Sequence, residues 1–256
     1  VFYGIPSQLQ PGDSYYLENV NNAQYFLDKP GEWYEDTATN TLYYHARDGQ
    51  SAAKISAVIP VAIPDAAPLP GMSTTDGGPL MQIGTPLTPL SQQAENLMVS
   101  GLTFEYSSWL GPTNYGYVAE QEGVFTRGSS SGPSGSTQVP ALAIANAYNT
   151  IVQDNTFQHL GGAGIGLICQ TVSSDIEGNT MTDISGNAIV VDGVPTMQSL
   201  SAIKAYGSSY TSVAEFVSQN DTIQQNTITY AGQEYPDSAG IMVAYCDDMK
   251  MGGPPR

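Results

Sequence analysis

One spacing constrains this chain more than any other. Asn155 and Asn179 lie 24 residues apart, and Asn226 follows 47 residues later, close to twice that interval. Four segments align on this spacing without gaps: residues 96–109, 149–162, 173–186 and 220–233. Their fourth position holds Val99, Val152, Ile176 or Ile223, and their ninth Phe104, Phe157, Met181 or Ile228. The seventh holds Leu102, Asn155, Asn179 or Asn226, and the eleventh Tyr106, His159, Asp183 or Tyr230. A fixed period carried by short β-branched runs, Asn and Gly is the mark of a solenoid, in which no single unit can bury its apolar face alone. An antiparallel sandwich made of similar strands is the alternative, but it has no reason to keep one register.

The spacing therefore predicts an all-β chain wound as a parallel β-helix, with neighbouring coils stacked at about 4.8 Å. The fourth and ninth positions become interior apolar stacks. Asn155, Asn179 and Asn226 become an amide ladder at a bend, a place where Asn is favoured because it tolerates left-handed backbone. A second apolar strand follows each ladder residue: 163–168 matches 187–192, while the fourth repeat reaches Ile241 five residues late. Residues 233–237 are thus an insertion at a corner. Longer insertions are expected at 194–218 and at 111–140, and insertions on a solenoid tend to gather on one face and shape a binding groove.

Residues 1–90 read differently from 91–256. Residues 32–35 and 41–44 flank a turn at 36–40, which predicts a hairpin. The aromatic-rich stretch 15–47 is expected to form a small β-subdomain packed on the helix, with Trp33 in its core. The Pro- and Gly-rich stretch 57–89 is expected to run extended, returning as a strand at 80–83.

Charge narrows the function. Lys and Arg number 7 against 24 Asp and Glu, a net charge of −17 with only 12% charged residues. Nucleic acid is excluded as a partner, because its affinity comes from cations that neutralise phosphates. An anionic membrane is disfavoured by the same repulsion, and no apolar run reaches the length of a membrane span. The surface must be covered by Ser, Thr, Asn, Gln, Gly and 16 Tyr, a profile similar to that of secreted carbohydrate-active proteins. The chain starts at Val1 without a leader, which is expected of a mature or trimmed form. His45 and His159 are far apart, and the two cysteines form no CxxC or Cys/His cluster, so neither a metal nor another cofactor is expected.

The wording of several segments adds to their spacing. Tyr25-Phe26-Leu27-Asp28-Lys29-Pro30-Gly31-Glu32-Trp33-Tyr34, then Thr41-Leu42-Tyr43-Tyr44, resembles a segment of secreted right-handed parallel β-helix proteins of the carbohydrate-active kind. Leu102-Thr103-Phe104-Glu105, Trp109-Leu110-Gly111, Asn155-Thr156-Phe157, His159-Leu160-Gly161-Gly162 and Ser238-Ala239-Gly240-Ile241 continue the likeness in the same order. The resemblance implies a right-handed helix. It also implies glycoside hydrolase-like relatives, such as β-xylosidases, xylanases and α-fucosidases. Members of that group carry sequence on both sides of this stretch, so further coils beyond Tyr245 are expected in a longer protein.

Glycoside hydrolysis needs two carboxyl groups, about 5–5.5 Å apart for retention or about 6.5–9.5 Å for inversion. Stacked coils supply such spacings. The first candidates are Asp183, as nucleophile or base, and Glu234, as a general acid kept protonated by burial and by its neighbour's charge. His159, beside Asp183 in the repeat, would orient it; Asp192 and Asp237 stand in reserve. The bland alternative is that Asp183 and His159 cap a turn. Glu105, Asp154 and Glu177 are expected to face solvent. Trp109, Tyr115, Tyr117, Tyr230 and Tyr235 are candidates to stack on sugar rings, or else to pack loop against helix.

Three functions compete at this point: a hydrolase acting on a neutral plant or microbial polysaccharide, a non-catalytic carbohydrate-binding or adhesive β-helix, and a lyase or epimerase acting on uronates. The last is disfavoured by the repulsion between a −17 chain and a polyanion. Cys169 and Cys246 fall in nearly the same column two coils apart, about 10 Å on the strand spacing. That exceeds the Cα separation a disulfide allows and predicts two largely buried thiols. Asn220-Asp221-Thr222 is an N-glycosylation sequon.

Overall fold

A computed structural model describes residues 23–36, 38–58, 60, 69, 77–86, 88–115, 118–121, 123–126, 137–191, 212, 215–235 and 237–252. The chain divides into two compact units, one formed by Pro6–Ile59 and the other by the remainder.

In the first unit, Trp33–Asp36 pairs antiparallel with Thr41–Tyr44, and Asn40 takes the left-handed conformation at the turn between them. Side chains alternate across a strand, so Tyr34 and Tyr43 share one face, where their rings stack at 6.2 Å. Trp33 shares the other face with Glu35 and Leu42. It is 66% exposed, not the core residue that the sequence suggests, because the aromatic packing of this hairpin lies on the Tyr34 face.

The second unit is a parallel β-helix. Its first sheet stacks Met98–Ser100, Ile151–Gln153, Asp175–Glu177, Thr222–Gln224 and Lys250–Met251. The second stacks Thr103–Glu105, Thr156–Leu160, Thr180–Ile184 and Thr227–Ala231. The third contains Pro140–Tyr148, Ala163–Val172, Ile189–Val191 and Ile241–Val243, with Met81–Ile83 and Ala94–Glu95 paired to Pro140–Tyr148. Every pairing within these three sheets is parallel, and the register is that of the repeat. Val99, Val152, Ile176 and Ile223 are consecutive partners, and so are Phe104, Phe157, Met181 and Ile228. Phe104 and Phe157 stack at 4.7 Å with nearly parallel rings. Each large side chain taken fully out of water here contributes roughly 1.5–3 kcal/mol, which makes the interior columns the main support of the coil.

The amide ladder forms as the spacing implies. Asn155 Nδ2 donates to Asn179 Oδ1 at 3.0 Å, and Asn179 Nδ2 to Asn226 Oδ1 at 2.9 Å. Each ladder oxygen also accepts a backbone N–H from the coil before, and each ladder nitrogen donates to a carbonyl there. The left-handed residue, however, is the one before each ladder position: Gly101, Asp154, Gly178 and Gln225. The preceding residue makes the bend, which leaves the ladder side chain to point into the coil. Two other corners obey the same rule. Asn96, Asn149, Ser173, Asn220 and Asp248 are left-handed on entering the first sheet, and Tyr106, His159, Asp183 and Tyr230 on leaving the second.

Among the described residues, loops leave the coil at its corners. Between the second and third sheets the first coil carries the short helix Gly111–Tyr115 and the antiparallel pair Val118–Gln121 and Val124–Thr126, and the fourth coil carries 232–240. Val124 packs with Ala163, Val190 and Met242 on the outer side of the third sheet. The insertion expected at 194–218 falls largely outside the described residues; Ser218–Gln219 pairs with Val172 on one side and Cys246–Asp247 on the other. Cys169 lies opposite Ala145 and Cys246 opposite Ser218, so the two are offset along the strand as well as across coils, and both are thiols.

Candidate functional site

The left-handed residue of the second sheet creates the site. Phe157 points inward and Gln158 outward, and strict alternation would send His159 in and Leu160 out. The turn at His159, φ 53°, breaks the alternation as a bulge does. His159 therefore stays outside, while Leu160 is buried at 2% exposure. Asp183 and Tyr230 are placed in the same way, and Tyr106 heads the column at φ 58°. The same left-handed conformation recurs at the other corners of the coil, so here it is a feature of the winding that sets these side chains on the outside.

Four side chains thus line up along the helix axis in the order Tyr106, His159, Asp183, Tyr230. His159 Nδ1 lies 2.6 Å from Asp183 Oδ2, with 46% and 56% of the two side chains exposed. An ionised carboxylate only accepts, so Nδ1 carries the proton in this bond, and in the neutral ring Nε2 is left as the acceptor. The Tyr106 ring stacks on the imidazole, centroids 5.5 Å apart and 13° between planes. Rings piled in this way along the axis turn their edges, rather than their faces, to the solvent. Tyr230, 71% exposed, stands on the last strand of this sheet among the described residues. Beside the column, Gln158 Nε2 donates to Glu105 Oε2 at 2.8 Å and Thr229 Oγ1 to Thr182 Oγ1 at 3.1 Å. The strip is rich in polar groups spaced one coil apart.

The other candidates are placed differently. The Glu234 backbone N–H donates to Ser185 O at 3.2 Å, which anchors it to the third coil two residues beyond Asp183. Its side chain is exposed, without the burial that the sequence reading required. Asp237 is half-buried in the same insertion. Asp192 and Tyr117 lie outside the described residues, and Tyr115 closes the short helix Gly111–Tyr115. Trp109 and Tyr235 are buried, 7% and 8% exposed. They meet edge to face and pack with Val139, so they hold the corner together instead of offering ring faces to a ligand. Glu105 and Asp154 face solvent, but Glu177 is only 8% exposed, because Gln224 Nε2 covers it and donates to Oε2 at 2.8 Å.

Two residues not singled out from the sequence matter. Tyr106 occupies the eleventh repeat position, and that shared position was the available signal. Asp221 is fully buried; it accepts from Thr171 Oγ1 at 2.6 Å and from the Ser174 N–H at 2.7 Å. Burial pushes its carboxyl from the ordinary 3.8 up to about 6, against the pull of those hydrogen bonds. Its repeat position is held by Thr150 and Ser174 in the preceding coils, so nothing in the pattern marks it. Among the described residues, no group of three or more His, Cys, Asp or Glu is arranged to hold a metal ion.

Comparison with known proteins agrees on the fold. Residues 140–252 match the family described as right handed beta helix region. No curated protein matches the chain by sequence. A solved structure named glycoside hydrolase superposes with a TM-score of 0.67 at 20% sequence identity, over 90% of this chain. The chain spans 38% of the length of that structure. An identity this low speaks for architecture alone, and with the parallel sheets and the ladder it makes this chain a right-handed parallel β-helix.

Proposed function

We propose that this protein is carbohydrate-active and secreted, that it holds a neutral glycan against Tyr106, His159, Asp183 and Tyr230, and that it hydrolyses an O-glycosyl bond there. The exposed column carries this reading. It places a carboxylate, an imidazole and two phenols in one outward strip, the mix of acceptors and amphipathic rings that sugar hydroxyls engage. The structural likeness to a protein named glycoside hydrolase supports it, and the net charge of −17 favours a neutral substrate over a uronate, which disfavours a lyase or epimerase. Asp183 acts as nucleophile or base, His159 orients it, and Glu234 is the general acid, with Asp192 and Asp237 in reserve. Because the Glu234 side chain is exposed, its acid role depends on the glycan to desolvate it.

A second reading, binding without cleavage, is favoured by the engagement of Asp183 with His159 at 2.6 Å and by the exposure of Glu234. Reducing-sugar release from a panel of neutral polysaccharides separates the two, with Asp183→Asn and Glu234→Gln as variants. Release that falls at least tenfold in both supports hydrolysis. Binding without release in the parent protein supports the adhesive form. Turnover unchanged in both variants ends this site assignment, and the absence of both binding and release ends the carbohydrate reading.

A further inference from the structure

We propose that the column is a ruler for an extended linear glycan lying parallel to the helix axis, with one sugar unit facing each coil and four units filling the site. The inference rests on the carbohydrate reading and names the shape class of its ligand. Tyr106, His159, Asp183 and Tyr230 come from four successive coils, all at the same repeat position and all in the same left-handed conformation. Their spacing is therefore that of the strands, about 4.8 Å per step and about 14 Å from end to end. Extended chains of β-1,4-linked glucose, mannose or xylose, whose linkage bonds are both equatorial, repeat at nearly this interval, whereas α-1,4-linked glucose chains curl and drift out of register within a few units.

The orientation of the rings supports the same geometry. The Tyr106 ring lies flat on His159, 13° from parallel, so the two rings turn their edges, not their faces, to a ligand beside the column. His159, Asp183 and Tyr230, all exposed, follow at the same repeat position on the next three coils. A glycan laid along this strip meets one hydrogen-bonding group per unit, and its third and fourth units gain as much as its second.

The test is calorimetric titration of the whole chain with cello- and xylo-oligosaccharides of one to six units, and with malto-oligosaccharides of the same lengths. The expected result is affinity rising at least tenfold from two to four units in one β-1,4 series and flat beyond four, with the malto series at least tenfold weaker at four units. Tyr230→Asn, chosen because Asn accepts left-handed backbone, is expected to cancel the gain from the third to the fourth unit. Affinity that is already complete at one or two units, or equal for the malto series, overturns the ruler and leaves the carbohydrate reading standing. No binding by any of the three series overturns both.

Discussion

Trp109 and Tyr235 meet edge to face, 5.1 Å between ring centroids, although one leaves the first coil and the other the fourth. The contact crosses the tight corners of the two coils between them. Gly161 N–H donates to Ser107 O on one side, and the N–H groups of Glu234 and Tyr235 donate to Ser185 O on the other. A Cβ at Gly111 would strike the Trp109 indole, so the helix Gly111–Tyr115 starts tight against this ring. Trp109→Ala is expected to cost about 3 kcal/mol, the low end for a large buried aromatic, since one side of the corner can settle into the space. Tyr235→Ala, which takes the other ring out of the same contact, is expected to cost a similar amount. Urea denaturation of the two variants checks both values.

Asn179 is fully buried and sits in the middle of the amide ladder. Its side chain donates to Val152 O and Asn226 Oδ1 and accepts from the backbone and side-chain amides of Asn155. Asn179→Ala strands several of these groups away from water, at about 1–3 kcal/mol each, and is expected to destabilise by roughly 4 kcal/mol. Asn226→Ala, nearer the end of the ladder and half-buried, is expected to cost less. A cost for Asn179→Ala no greater than for Asn226→Ala in equilibrium denaturation would contradict the ladder.

Asp221 makes stability depend on pH in an unusual direction. Its folded-state carboxyl titrates at about 6 against an ordinary 3.8, so between those values the folded chain holds a proton that the unfolded chain has released. The stabilisation is fully present below about 3.8 and is lost as pH rises through about 6, a change of roughly 3 kcal/mol at 1.36 kcal/mol per pH unit. Asp221→Asn removes the titration and keeps an acceptor for the Ser174 N–H. Denaturation midpoints measured from pH 4 to pH 7.5 are expected to fall more steeply in the parent protein than in the variant, and parallel curves would refute the assignment.

The cysteines report on the winding. Cys169 is buried and Cys246 half-buried, so a thiol reagent is expected to modify Cys246 first in the native state and both after unfolding without reductant. A mass showing a 169–246 bridge would place the two residues in neighbouring coils and break the register.

Much of the fold was legible in the order of residues because a solenoid writes its three-dimensional spacing directly into the chain. Val152, Ile176 and Ile223 recur at one repeat position and stack as partners. Ile241, which comes five residues late in the repeat, pairs with Ile189. The ladder asparagines were equally plain, but their backbone was not. Asn tolerates the left-handed region, yet here the bend belongs to Asp154, Gly178 and Gln225, since the ladder side chains must turn inward to reach one another.

The candidate site was legible only in part. The repeat aligned His159 with Asp183, and the coil geometry brings them to hydrogen-bonding distance. It could not say that Trp109 and Tyr235 would bury each other, because their contact joins loops more than a hundred residues apart. Nor could it show that Glu177 would be covered by Gln224, or that Asp221 would stand where Thr150 and Ser174 stand. Periodicity determines which residues face in or out and which column they join, for these follow from local alternation and a constant rise per coil. Burial, proton affinity and loop-to-loop contact are decided by what neighbouring coils and insertions place around each group, and only the folded chain supplies that surrounding.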